Sequence, residues 1–348
     1  MSEHSDFIRG TCTDMCPARE RRLREREGLL HILELPEGCR LHPPPKANPQ
    51  LTVKSFSRSA AGQLAPRRDE LRPPAVLQKT VHYLLKDVAQ RQEVDWCVVY
   101  DFVFDRLRAV RQDLVIQGLN PKHGIMILEP IVRFHCYAGY RLCSQPASKF
   151  DATINHTHLL ECLTRLLVLY DEVQQCCHVS EERREMEALY LLVALGDGQA
   201  LTRALQLPTK LRRRGVVHTA LVMSLAMWNG NYARVCALIP QLPPLLMCAA
   251  ALQLPNIRRR ALQVMSHAYS CRNLTFPLDA LQSLLLYRSC KETASDCQRH
   301  GFTVEGSSVV FSRAAFRADV RGACQQLDCV DTALESCSLP SLLLHSKQ

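Results

Sequence analysis

Gly301-Phe302-Thr303-Val304-Glu305-Gly306-Ser307-Ser308-Val309-Val310-Phe311 is the stretch on which the fold turns. Two short runs of β-formers flank a Gly-Ser-Ser centre, and that pattern predicts a hairpin. Just before it, Leu278, Leu281, Leu284 and Leu285 lie at helical spacing, and Ser289 to His300 can form a second helix. Two helices leading into a hairpin predict a winged-helix-like unit over residues 273–320, followed by a C-terminal tail over 321–348.

Upstream, residues 76–272 read as helix throughout. Leu77, Val81, Leu84, Leu85 and Val88 share one face after a proline pair suited to a helix start. Tyr100, Val103, Phe104, Leu107, Val110 and Leu114 make a second stripe, and Leu159, Leu163, Leu166, Leu167, Tyr170 and Val173 another within about 155–175. Between 180 and 240 a pattern occurs twice: a helix, a Gly/Asn turn, and a short helix of small residues. Gly196-Asp197-Gly198 precedes Ala200 to Leu205, and thirty-three residues later Asn229-Gly230-Asn231 precedes Ala233 to Leu238. That period predicts stacked helical hairpins. Ile257, Ala261, Val264, Met265 and Ala268 extend the stack. The first 75 residues are different: Pro36, Pro43-Pro44-Pro45, Pro49, Pro66 and Pro73-Pro74 prevent long helices, so an extended segment is expected.

The chain has 348 residues, 47 % hydrophobic and 22 % charged, with a net charge of +9. No eighteen-residue apolar window occurs, so no membrane span is expected. Met1 to Asp6 is polar and acidic, unlike a secretory signal. The seventeen cysteines are therefore expected to be reduced, in cytosol or nucleus. The positive charge suits an acidic protein surface or nucleic acid.

Enzyme signatures are missing: there is no phosphate loop, no dinucleotide fingerprint, no H-E-x-x-H and no G-x-S-x-G elbow. No catalysis, cofactor, metal or small-molecule substrate is expected. Cys12 and Cys16 supply half of a zinc site and His31 a third ligand at most, with no second pair at zinc spacing. Glu129 and His135 stand six residues apart, about 120° off a common helix face, which argues against a shared site. Mixed charges around Asp101, Asp105, Arg106, Arg108, Arg111 and Asp113 read as a self-paired helix surface. Two basic clusters remain as contacts for nucleic acid or an acidic partner: Lys210, Arg212, Arg213 and Arg214, and Arg258, Arg259 and Arg260. Arginine binds phosphate bidentately and stays charged.

Four blocks carry a resemblance. They are Gly10-x-Cys12-x-x-Met15-Cys16-Pro17-x-x-Glu20, Val53-Lys54-x-Phe56-x-Arg58-Ser59-Ala60-Ala61, the segment from Tyr100 to Gln117, and Glu129-x-Ile131-x-Arg133-Phe134-His135. Together they resemble the SAC-three/GANP family, scaffolds best known from messenger-RNA export, with a short member tied to centrosomes. The positions carrying the resemblance are Cys12, Met15, Cys16, Pro17, Glu20, Arg58, Arg106, Asp113, Arg133 and His135. Helical repeats ending in a winged helix also resemble the TPR/PCI-like architecture of proteasome-lid and initiation-factor scaffolds. Phe150-Asp151-Ala152-Thr153-Ile154-Asn155 departs from the family's F-N-x-Q-Q-N-like pattern. The chain has no Phe-Gly repeats and is similar to the short centrosomal member. The resemblance thus implies a non-enzymatic scaffold of centrosome duplication and mitotic progression, in cytoplasm, centrosome and spindle, with the nucleus as a further compartment. The alternative it implies is a messenger-RNA export scaffold binding nucleic acid and proteins through a PCI-like winged helix. On either reading Arg58 and Arg106 are expected to anchor the N-terminal segment through carboxylates such as Asp105 and Asp113.

Overall fold

Proline and small polar caps set where the helices begin. In a computed structural model that describes residues 7–36, 45–58, 66–173, 180–271 and 273–345, the chain is mainly α-helical with one small antiparallel sheet. Its contacts divide it into two units: residues 1–134, 168–176 and 339–348, and residues 135–167 and 177–338.

The first unit holds α1 (Ala18–Arg26), α2 (Pro74–Tyr83), α3 (Trp96–Ile116) and the N-terminal part of α4 (Pro121–Arg141). Pro74 sits at the first position of α2, where its missing N–H costs nothing. A wide five-residue turn, Leu84–Val88, continues that helix. Asp95 caps α3 by accepting the Cys97 N–H at 3.0 Å. The stripes read from sequence form the interior: Leu77, Leu84, Leu85, Val103, Leu107 and Val110 are all fully buried. Trp96 and Tyr100 stack near Phe134, at 6.3 and 6.0 Å between ring centres.

The second unit begins with the C-terminal part of α4 and most of α5 (Ala152–Val173). The repeat then appears as two hairpins. One is α6 (Glu181–Val193) with α7 (Gly198–Gln206). After the short α8 (Thr209–Arg212) comes the other, α9 (Gly215–Trp228) with α10 (Tyr232–Leu238). Gly196 (φ +84°) and Gly230 (φ +70°) turn the chain left-handed between the arms, a conformation costly for other residues. Asp197 and Asn231 follow them as side-chain caps of the second arms. α6 packs against both α9 and α11 (Pro244–Ala251), whose residues 245–251 are all buried.

The stack ends in α12 (Leu254–Ala268), β1 (Phe276–Pro277), α13 (Leu278–Leu285), α14 (Cys290–Arg299), β2 (Thr303–Glu305) and β3 (Ser308–Val310). Strand order is β1-β3-β2, all antiparallel, with Val309 opposite both Phe276 and Val304. This is the winged-helix topology, the wing being the Gly306-Ser307 turn. Phe302, Phe311 and Phe276 fill the space behind the sheet, with Phe302 and Phe311 edge-to-face at 4.9 Å. Strand β1 extends the expected hairpin to three strands. The stretch expected as a tail contains α15 (Asp328–Glu335), which packs on α11, and α16 (Leu339–Leu344), which belongs to the first unit and packs on residues 84–88. Among the described residues no helix is long and apolar enough to cross a membrane.

Candidate functional site

The N-terminal signature is built around two buried carboxylates. Glu34 is fully buried and takes the guanidinium groups of Arg24 and, at 3.4 Å, Arg106. It also accepts the backbone N–H of His31 at 3.0 Å and of Val53 at 3.1 Å. Asp113, equally buried, receives Lys54 Nζ and Arg72 Nε, each at 2.7 Å. A buried carboxylate is tolerable only when its charge and lone pairs are matched, and here both are.

Backbone groups complete the clamp. Gly10 N donates to Gln117 Oε1 at 2.9 Å, and Gln117 Nε2 donates to Arg72 O at 2.8 Å. A Cβ on Gly10 would lie 2.4 Å from Leu71 O, so only glycine fits there. Glu20 accepts from Ser55 N and Oγ at 2.8 and 2.9 Å, while Asp105 accepts from Phe56 N at 3.2 Å. The Phe56 ring lies under Arg108 at 3.9 Å. Residues 7–17 and 45–58 are thereby held on α3.

The signature positions play unequal parts in this. Arg106 pairs with Asp105 and Glu34, whereas Asp113 is taken by Lys54 and Arg72, not by the arginines expected for it. Arg58 is exposed and joins none of the ion pairs among the described residues, so its anchoring role is corrected; Ser59-Ala60-Ala61 lie outside those residues. Met15 is buried and its carbonyl accepts from Lys54 N at 3.0 Å. Pro17 immediately precedes α1. Cys12 and Cys16 are buried free thiols, and burial pushes Cys16 up to about 12. His31 spends Nδ1 on the Leu33 N–H and stacks on Phe102 at 4.8 Å. Among the described residues no group of three or more His, Cys, Asp or Glu could hold a metal ion. Arg133 faces Glu129 at 3.9 Å, and Glu129 also takes the Tyr170 hydroxyl. Buried His135 exchanges hydrogen bonds with Asn155, through Nδ1 and through its carbonyl, each at 2.9 Å.

The basic clusters divide differently. Lys210, Arg213, Arg214 and Arg260 are exposed, Arg212 bonds the Leu205 carbonyl, and Arg259 is half-buried beside Asn256 at 3.3 Å. Arg258 does not belong with them. It is 5 % exposed, donates to the Leu285 and Leu286 carbonyls and to Glu292, and covers the Tyr287 ring at 3.9 Å. Three consecutive helical residues point in three directions, and this one points inward. Sequence reasoning missed Arg313, Arg317 and Arg321, all exposed in the segment after the wing. Arg259 and Arg321 line a groove of about 610 Å³ with Pro255, Asn256, Asp319 and Gly322. Arg313, Arg317 and Arg321 stand four residues apart in a segment without helix, so no local pattern marked them.

The matched, buried ion pairs of the clamp fit a structural role, while the exposed arginines around α12 and the wing fit binding of an anionic partner. The profile of the SAC3/GANP family matches residues 15–306, from the clamp to the wing. Protein xmas of Drosophila melanogaster is 29 % identical over 89 % of this chain and 15 % of its own length. SAC3 family protein 1 of Schizosaccharomyces pombe is 27 % identical over 94 % of the chain and 33 % of its own length. SAC3 family protein B of Arabidopsis thaliana is 31 % identical over 56 % and 11 %. The chain thus spans no more than a third of the length of these relatives, and the family match runs from Met15 in the clamp to Gly306 in the wing. It belongs to the SAC3/GANP family.

Proposed function

We propose that the chain is a non-enzymatic scaffold of messenger-RNA export, contacting nucleic acid and protein partners through its winged-helix end. The observation that carries this reading is a winged helix whose first helix and post-wing segment present Arg260, Arg313, Arg317 and Arg321 outward, with half-buried Arg259 beside them. Arginines in such a setting neutralise backbone phosphates without reading sequence. Membership of the SAC3/GANP family supports the same reading. The centrosome and spindle role rests on resemblance to the short family member alone; neither the fold nor the relatives' names support it, and export takes precedence. On this reading the protein works in the nucleus as well as the cytoplasm.

Fluorescence anisotropy with a labelled single-stranded RNA over a salt series tests the proposal. Affinity is expected to fall steeply with salt, by a log–log slope of about 0.7 per phosphate contact. Combining R259E, R260E, R317E and R321E should flatten that slope, and depletion should retain poly(A) RNA in the nucleus. Salt-insensitive binding, or depletion that disturbs spindles while RNA leaves the nucleus normally, would overturn it.

A further inference from the structure

The segment after the wing is pinned to the end of α4 by a short series of contacts. Leu327 N donates to Tyr140 Oη at 2.8 Å, and that hydroxyl donates to Asp331 Oδ1 at 2.7 Å. Gln326 Nε2 donates to the Arg141 carbonyl at 2.9 Å. Two residues beyond Arg141 and two before Gln326, Cys143 and Cys324 come side by side, near enough for their thiols to interact. Both are free and half-buried, open to a small oxidant yet held facing each other. Cys136 and Cys248, by contrast, are fully enclosed. Cys290 is exposed and bonded to Gln282 Oε1 instead of a second thiol.

We propose that Cys143 and Cys324 form a peroxide-responsive dithiol, which closes to a disulfide and ties the post-wing segment covalently to the end of α4. The order of attack follows from the electrostatics. The hydrogen bond from Cys143, the Gln325 backbone and the charge of Arg258 hold Cys324 below the usual thiol range, against the opposing effect of burial. The same hydrogen bond, reinforced by burial, raises Cys143. Cys324 is therefore the first thiolate, and thiolates are the nucleophiles in such reactions.

Its sulfur attacks hydrogen peroxide: an S–O bond forms, the O–O bond breaks, and the departing hydroxide is protonated to water. Cys143 then loses its proton and attacks the sulfenic sulfur. The S–S bond forms as the S–O bond breaks, and a second water leaves. Two thiols are oxidised by two electrons and one peroxide is reduced to two waters. The product fixes the end of the segment bearing Arg313, Arg317 and Arg321. It also closes a chain loop running from residue 143 to 324, which restricts the unfolded state.

Peptide mapping of the full chain tests this. The reduced protein is exposed to hydrogen peroxide, its remaining thiols are blocked with iodoacetamide, and it is digested with trypsin without reductant. Cleavage after Arg141 and Lys149 isolates Cys143, and cleavage after Arg321 releases the peptide carrying Cys324, Cys329 and Cys337. The expected product is these two peptides joined, two hydrogens lighter than their sum, with fragment ions placing the bond on Cys324. The oxidised chain should melt higher than the reduced one, and dithiothreitol should reverse both changes. C329S and C337S should keep the cross-link, and C324S should lose it, leaving Cys143 alkylated. Recovery of Cys143 alkylated in the unsubstituted chain after Cys271 and Cys290 have been oxidised would overturn the proposal, as would a bond from Cys143 to Cys329 or Cys337. The unsubstituted chain decides the matter even if C324S fails to fold.

Discussion

Arg72 Nε meets Asp113 Oδ2 at 2.7 Å with both side chains wholly excluded from solvent. Such a pair is valuable chiefly for what its disruption leaves behind. Asp113→Ala strands the Arg72 guanidinium and removes the Lys54 partner, at an expected cost of about 3–5 kcal/mol. Urea denaturation of the first unit measures it, and a loss below about 1 kcal/mol would contradict the buried clamp.

Glu34→Gln keeps the shape of the side chain but removes its charge from Arg24 and Arg106. The Val53 N–H loses a charged acceptor, so residues 45–58 should loosen before the rest of the unit. Limited proteolysis should cut there at denaturant concentrations that leave the unsubstituted protein intact. Cleavage at equal rates in both proteins would show that Glu34 does not hold this segment.

Arg258→Glu and the pair R259E/R260E should separate sharply. The first puts an acid where a guanidinium bonds two carbonyls and Glu292, and the winged helix should melt early or fail to form. The second changes side chains whose substitution should move stability by no more than about 0.5 kcal/mol. Thermal unfolding followed by circular dichroism distinguishes them, and equal midpoints would return Arg258 to the surface set.

His31 should make stability depend on pH. Burial and then the charge of Arg106 hold its imidazole below the usual value, with Glu34 opposing and Arg24 adding to the shift. The folded chain therefore takes up this proton less readily than the unfolded chain. Its contribution is complete above the ordinary imidazole value near 6.5 and is lost as pH falls below that towards the lowered folded value. His31→Asn keeps an acceptor for the Leu33 N–H and should lose less stability than the unsubstituted protein between pH 7 and 5. Identical slopes in the two proteins would exclude His31 as a contributor.

Thiol accessibility gives a further measurement. Exposed Cys271 and Cys290 should alkylate promptly in the folded protein, while Cys16, pushed up to about 12 by burial, should react only on unfolding. Early labelling of Cys16 would mean that the N-terminal clamp opens under native conditions.

The helical stripes were legible because they are local: Leu77, Val81, Leu84 and Leu85 lie one or two turns apart and all face the interior. The hairpin from Thr303 to Val310 was equally readable, since its turn and both runs sit within a few residues. β1 was not, because two residues carry no alternation and Phe276 becomes a strand only by meeting Val309. Glu34 gave no signal of its own; its partners Arg24, Val53 and Arg106 are brought to it by tertiary structure. The three arginines 258–260 look alike in sequence, and only the packed Leu285, Leu286 and Tyr287 distinguish the first. Arg313, Arg317 and Arg321 are spread through an irregular segment and form no compact basic run.

The docking of α16 on residues 84–88 bears on how the protein is made. A ribosome releases Arg24, Glu34 and Asp113 long before it reaches Leu339, although all of them belong to the same compact unit. The early half of that unit must wait, with part of its apolar surface uncovered, while the hairpins and the winged helix are synthesised. Closure by α16 therefore comes only after the hairpins and the winged helix have been made. Slowing elongation over residues 177–338 should lengthen the period in which chaperones engage the nascent chain.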